Sequence, residues 1–308
     1  MLFNAPASNK DPGVSVYAPS NSTSNVAVCL IVYNETLYLD EWLDFHIALG
    51  FSPIYIYDNS PDFELQTGLY SGGLSWYDTR VHDWQHIQLI HFPLTPVQLA
   101  AYDRCIMQDA SNSTFVALID ADEFLVLKKH NNVIDFMDHY CNFQCGQLSI
   151  NWRQMGMSFE RHNTPVPVLR RNVHGDSSPT IKVIVRPENV ADDMQWLHSV
   201  SLKPGKLWID TDNRSHHIRP GASGRNLNID GPTDVALLYH YPLKSEGEFR
   251  YKTCVRGTSI HERGKTPFCD KPYYPLTNGT DFDDTAWRQL IRMVPKYRVY
   301  GEAVNVSF

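Results

Sequence analysis

Apolar residues along this chain fall into short unbroken blocks separated by amphipathic stretches. Val26 to Tyr33 is one such block and reads as a strand buried on both faces. From Thr36 to Leu49 the spacing changes. Leu39, Trp42, Leu43, Phe45, His46 and Leu49 recur at three and four positions, predicting a helix that Gly50 stops. Pro53 to Tyr57 predicts a second strand, closed by the dense turn signal Asp58-Asn59-Ser60-Pro61-Asp62. A third strand is expected over His86 to Phe92, a helix over Pro96 to Ala110 with its proline in the first turn, and a fourth strand over Phe115 to Ile119. Strands and helices alternating in this way predict a parallel sheet with right-handed crossovers.

Beyond Leu127 the pattern is mixed. Asn132 to Tyr140 predicts a helix, Gln147 to Trp152 a strand, and Ile181 to Val185 and Leu207 to Ile209 shorter strands. Asp284 to Met293 predicts a closing helix. Residues 160–235 are rich in Pro, Gly, His and Asn, and long irregular segments in a compact domain tend to carry function. No repeat and no linker interrupts the chain, so the expectation is one domain over residues 26–300. Residues 1–25 read as a flexible leader without a membrane anchor, and 301–308 as a tail.

The stretch Phe115 to Lys128, FVALIDADEFLVLK, changes the picture from fold to chemistry. Three acids, Asp120, Asp122 and Glu123, sit between two apolar runs. Carboxylates crowded and dehydrated in this way stay ionised only beside a positive charge. At the carboxyl end of a strand in an open α/β sheet, a divalent cation fits that role. Oxygen ligands suit Mn²⁺ or Mg²⁺ rather than zinc, and such ions keep positions open for substrate phosphates. The implied partner is a phosphate-bearing donor, most economically a nucleotide-sugar. The other readings are a metal-dependent nucleotide phosphotransferase, or a plain acidic turn facing water.

The other strand ends add to this. Asn34 and Glu35 follow the first strand, and Asp58 the second, where it either contacts a nucleotide or caps its own turn. No P-loop, dinucleotide fingerprint or nucleophile elbow appears, so a diphosphate would need the metal plus basic side chains. The segment LLYHYPLKS over Leu237 to Ser245 offers His240 as a neutral imidazole ligand and Lys244 as a phosphate partner. Glu248, Lys252 and Arg256 follow at four-residue spacing, predicting one face of a helix, mostly ordinary pairing, from which Lys252 or Arg256 is a further candidate to reach the phosphates.

Composition narrows the options. With 308 residues, 43% hydrophobic and 20% charged, the chain has ample length for a sizeable core. A net charge of −7 argues against a nucleic-acid partner, and no apolar run approaches a membrane span. Asn-x-Ser/Thr occurs at Asn21, Asn34, Asn112, Asn213, Asn278 and Asn305, which favours a secretory compartment over the cytoplasm. Of six cysteines, Cys141 and Cys145 are placed for a local bridge, whereas Cys29 in a strand and Cys105 on a helix read as buried thiols.

These residues together resemble glycosyltransferase family 92. The resemblance rests on VCLIVYNETLYLDEWLDFHIALGF, IYIYDNS, the helix with Gln98, Tyr102 and Cys105, and LIDADEF. It continues through the Lys182 to Pro187 strand with His198 and ends in HYPLKSEGEFRYKTCVRG, so it spans Val26 to about Gly257. It implies a GT-A fold, a Rossmann-like mixed sheet flanked by helices, with a nucleotide-binding half over 26–127 and an acceptor- and metal-completing half over 128–260. It further implies Mn²⁺-dependent, inverting transfer of a hexose, usually galactose from UDP-galactose, to a glycan hydroxyl, in the Golgi lumen. Carried over by position, Asp120, Asp122 and His240 become metal ligands. Asn34, Glu35, Asp58, Asp120, Lys244 and Ser245 become contacts to the nucleotide-sugar, and Lys244 a catalytic group. For the base that deprotonates the acceptor, Asp176 leads over Asp192, Asp193 and Glu123. A non-catalytic glycan-binding module is the remaining alternative.

Overall fold

A computed structural model describes residues 24–94, 98–158, 161–162, 164–191, 197–215, 218–220, 226–257, 269 and 279–303. Residues 1–23 of the expected leader, the end of the tail, Pro96, Asp192 and Asp193 lie outside these.

The first half follows the expected rhythm. Strand β1 (Val26–Val32) leads into helix α1 (Thr36–Ala48) and returns as β2 (Ile54–Asp58). Two short turns of helix, α2 (Glu64–Thr67) and α3 (Trp76–Thr79), precede β3 (Ile87–His91). Helix α4 (Gln98–Arg104) widens into a π-turn over Cys105–Asp109 before β4 (Phe115–Leu118). β1 pairs in parallel with both β2 and β4, and β2 pairs in parallel with β3. Gly50 ends α1 as expected, at φ +102°, and a Cβ there would meet Asn132 Nδ2 at 2.4 Å.

The second half is built differently. After β5 (Glu123–Leu127) and α5 (Val133–Tyr140) come two long strands, β6 (Cys145–Met155) and β7 (His174–Val185), with α6 (Val168–Arg171) between them. Short strands β8 (Leu207–Ile209), β9 (Ile218–Pro220) and β10 (Asn226–Asn228) precede β11 (Ala236–His240). Helix α7 (Glu246–Arg250) runs into a second π-turn over Tyr251–Arg256, and β12 (Asp281–Phe282) and α8 (Thr285–Met293) follow.

The main path through the sheet is β3-β2-β1-β4-β7-β6-β11-β5. β7 joins the parallel half by pairing antiparallel with β4, and β6 pairs antiparallel with β7. β11 then pairs in parallel with β6 and antiparallel with β5. The parallel half and the mixed sheet as a whole are as expected; the long antiparallel pair of β6 and β7 is the added finding. The N-terminal part of β7 escaped notice because Asp176, Ser177 and Ser178 face solvent at least partly and leave no apolar run to read.

The topology also explains where the acids go. β4 and β5 stand four strand spacings apart, about 19 Å in a flat sheet. The link from Leu118 to Glu123 spans at most about 18 Å. The sheet therefore curls, and the Asp120-Ala121-Asp122 turn closes the gap between its parallel half and its mixed half. The result is a single mixed α/β domain with a curled sheet flanked by helices, consistent with a GT-A-like fold.

The core is continuous across this curl. Leu39, Trp42, Leu43 and Phe45 of α1 pack with Phe124 and Leu125 of β5, all with 2% exposure or less. Trp42 also donates its Nε1–H to the carbonyls of Asp120 (3.1 Å) and Glu123 (2.8 Å), which ties the acidic turn to α1. Three disulfides pair all six cysteines: Cys29–Cys105, Cys141–Cys145 and Cys254–Cys269. The local bridge was expected. The first was not, because an apolar setting that hides a thiol hides a disulfide equally well. Among the described residues, no helix is long and apolar enough to cross a membrane.

Candidate functional site

The three acids of the turn have separate fates. Asp120 Oδ2 is 2.9 Å from Lys182 Nζ of β7, and its Oδ1 accepts from Tyr102 Oη (2.7 Å) and Gln98 Nε2 (2.8 Å) of α4. Burial opposes the charged form of this carboxyl, but Lys182 and these donors hold its pKa below the ordinary value. Glu123 is fully buried, and its Oε2 accepts from the Asp120 amide at 2.9 Å. Burial pushes this carboxyl well above the ordinary range, more than Lys182 at 3.6 Å restores. Glu123, fully enclosed, anchors the turn through the Asp120 amide and shows no surface toward the cleft.

Asp122 stands apart, 6% exposed at the open side of the turn. Its Oδ2 is 2.6 Å from Lys252 Nζ, on the second π-turn, and its Oδ1 is 3.7 Å from His240 Nε2. Burial alone would raise its carboxyl; Lys252, His240 and Lys244 outweigh burial and hold it well below the usual range. His240 ends β11, directly opposite Glu123 of β5. Burial lowers its imidazole to about 4, with Asp122 opposing, so the ring is neutral near pH 7. Its Nδ1 lies 3.1 Å from Gln154 Oε1, which orients the ring so that Nε2 faces Asp122. Trp152 covers the ring at 4.1 Å between centroids.

Beside this pair opens a cleft of about 360 Å³ lined by Asn34, Glu35, Tyr38, Lys244, Lys252 and Arg256 among others. Asn34 and Lys244 hold φ of +52° and +54°, in the left-handed region that non-glycine residues seldom adopt. Backbone of this kind clusters at ligand sites because the surrounding structure must enforce it. Lys244, 4% exposed, places its ammonium 4.3 Å from the centre of the Tyr38 ring, and burial lowers its pKa against the pull of Asp122 and Glu35. Arg256 pairs with Glu35 and donates to the Tyr33 carbonyl at 3.2 Å. Asn34 donates to Tyr251 Oη at 3.0 Å.

The structure thus brings together Asp122, His240, Asn34, Glu35 and Lys244. Three other expected contacts also have partners within the protein. Asp120, expected as a metal ligand and donor contact, pairs with Lys182 as Asp122 pairs with Lys252, and its side chain is 32% exposed. Asp58 is a turn cap: 1% exposed, it accepts from Ser60 N (2.8 Å), Ser60 Oγ (2.6 Å) and Leu65 N (2.9 Å). Ser245 is fully buried as the N-cap of α7, in a capping box with Glu248, and has no face toward a phosphate. Asp176 lies opposite Gln154 on β7, and Thr280 donates to its Oδ1 through Oγ1 (2.8 Å) and N (3.1 Å). Residues that pair across strands share a sheet face, so Asp176, Gln154 and His240 stand in one row.

Lys182 and Gln154 went unassigned in the sequence. Lys182 did leave a signal, a lone cation inside the apolar run Ile181 to Val185, which a buried strand tolerates only with a partner. Lys252 and Arg256, candidates for the phosphates from a helix face, line the cleft from a π-turn instead of a plain helix. Gln154 left no signal.

The chemistry of the donor pair suits a borderline-hard cation, one carboxylate oxygen and one neutral imidazole nitrogen. Among the described residues, no group of three or more His, Cys, Asp or Glu side chains converges on one point. A cation on Asp122 and His240 would complete its coordination with water and donor phosphate.

A glycosyltransferase family 92 protein of Ricinus communis is 28% identical over 240 residues, covering 74% of this chain and 36% of that protein. Family 92 proteins of Oryza sativa and Arabidopsis thaliana are each 26% identical over 229 and 236 residues, with 74% of this chain and 35% and 36% of theirs covered. The chain therefore spans about a third of the length of the curated relatives it matches. The profile of glycosyltransferase family 92 matches residues 24–222, from β1 past β9, and takes in Asp120, Asp122, Lys182 and Gln154. With a match over well more than half its length, and the acidic turn held at the centre of the matched region, this chain belongs to glycosyltransferase family 92.

Proposed function

We propose that this protein is an inverting, metal-dependent glycosyltransferase. In this reading it moves a hexose, galactose from UDP-galactose, to a glycan hydroxyl in the lumen of the secretory pathway. The observation that carries it is the meeting of Asp122 with His240, whose Nε2 lies 3.7 Å from the carboxylate, beside a cleft walled by Lys244, Lys252 and Arg256. Breaking the anomeric C–O bond builds negative charge on the departing diphosphate, and a cation on Asp122 and His240 would supply Lewis-acid stabilisation of that charge. Lys244 and Arg256 add fixed positive charge on the same side, held in advance by Tyr38 and Glu35. Asp176, in the row of His240 and about two strand spacings (roughly 10 Å) away, is the group we assign to take the acceptor proton. Three disulfides, one joining β1 to the π-turn after α4, support an oxidising compartment.

The test is UDP release across UDP-sugars, with and without Mn²⁺ and with a glycan acceptor. Stimulation by Mn²⁺ with one hexose donor is the expected result. Release of phosphate from nucleoside triphosphates instead would move the protein to the phosphotransferases. Lys244→Ala is expected to lower kcat by about 10²-fold with an unchanged melting temperature, read by steady-state kinetics and thermal denaturation. Unaltered kinetics would remove Lys244 from the reaction.

A further inference from the structure

Asp122 is nearly buried, and a buried carboxylate left unpaired is costly. In the structure its charge is met by an ammonium, Lys252 Nζ at 2.6 Å. A divalent cation bound by Asp122 and His240 would bring two more positive charges onto the carboxylate that Lys252 already holds. The two cations would repel each other at short range in a poorly screened setting.

The surroundings say which one can leave. Lys252 is 25% exposed at the side chain, far more open than Asp122 at 8%, and it rides on a flexible four-carbon stem. Its backbone sits on the π-turn, anchored at one end by Arg256 on Glu35 and the Tyr33 carbonyl. The other carboxylates lining the cleft are engaged: Glu35 by Arg256, and Glu248 by Arg171. Among the described residues, an ammonium that leaves Asp122 therefore finds no unengaged acid lining the cleft, and the anion it can meet is a phosphate entering it.

We propose that Lys252 is an exchangeable counter-cation: it neutralises Asp122 while the metal is absent, yields that carboxylate to the metal, and then pairs with the donor diphosphate. This rests on the metal-dependent reading above and adds an order of events, because the same side chain opposes metal binding and assists donor binding. No covalent bond changes; one ion pair is exchanged for two.

The test is a pair of affinities with opposite expected signs. Mn²⁺ is titrated into the wild type, Lys252→Met, Lys252→Arg and Asp122→Asn without donor, followed by electron paramagnetic resonance of free Mn²⁺. UDP is then titrated into the Mn²⁺-loaded forms by calorimetry, and folding of each variant is checked by thermal denaturation. Lys252→Met is expected to bind Mn²⁺ about tenfold more tightly than wild type and UDP about tenfold more weakly. Lys252→Arg should stay close to wild type for Mn²⁺, and Asp122→Asn should lose it. If wild type binds Mn²⁺ through Asp122 but Lys252→Met binds it no more tightly, the exchange is overturned and the metal reading stands. If neither wild type nor Lys252→Met binds Mn²⁺, both readings fall together.

Discussion

Asp122→Asn is expected to abolish sugar transfer, a loss of about 10³-fold or more, while the protein stays folded. The size of the effect follows from position. Asp122 is the carboxylate that faces both His240 Nε2 (3.7 Å) and Lys252 Nζ (2.6 Å), so it organises the positive side of the cleft. The amide substitution keeps the shape and the backbone bond from the Tyr241 amide to the Asp122 carbonyl (2.7 Å). It removes only the negative charge. Lys252 is left without its acid, but at 25% exposure it can turn to water, so the stability change should stay within about 1 kcal/mol. UDP release and thermal denaturation on the same preparation decide the matter. Turnover within a few-fold of wild type would exclude Asp122 from the reaction.

Arg171→Met is expected to produce the largest loss of stability among single surface-to-cleft changes. Arg171 grips Glu248 with two bonds, Nη1–Oε2 at 2.8 Å and Nη2–Oε1 at 2.6 Å, and both side chains are 5% exposed or less. Truncating one member of a buried pair strands the other charge, at a cost of about 3–5 kcal/mol. The melting temperature should fall on the order of 10 °C. Burial would raise the Glu248 carboxyl, yet Arg171, then Ser245, pull it down to about 2. A carboxyl lowered by folding stabilises the protein above its unfolded pKa, about 4.3, and loses that contribution as pH falls toward 2. The wild type should therefore weaken across this window, and in Arg171→Met the part of the slope due to Glu248 should vanish. A denaturant series at pH 2.5, 4 and 6 reads this directly; parallel slopes in the two proteins would deny the pair its role.

How much of this was legible in the chain differs by element. The parallel half was, because β1, β2 and β4 are covered on both faces and show as unbroken apolar runs, and because α1 repeats its core residues at helical spacing. The N-terminal half of β7 was not, since it alternates polar residues with small ones, whereas its apolar half from Ile181 to Val185 was. In the site, Asp122, His240 and Lys244 stood out because each sits at the end of, or just after, an apolar block. Asp58 and Asp120 stood out for the same reason; the first caps its own turn and the second pairs with Lys182. A charge at a strand end signals that something must neutralise it, and the sequence does not say whether that is a ligand, a backbone amide or Lys182. The π-turn that brings Lys252 and Arg256 inward leaves no mark in residue spacing, because it adds one residue to a turn without changing its composition.

The buried carboxylate of Glu41 on α1 accepts from the amides of Val168 (2.7 Å) and Leu169 (2.9 Å), and three residues on Arg171 clasps the first turn of α7. The segment between β6 and β7 is thus a brace under the wall that carries Lys252 and Arg256. A change in the length or shape of this brace would therefore displace Lys252 and Arg256 without touching either of them, and restoring the wall would call for compensation at Glu41 or Glu248.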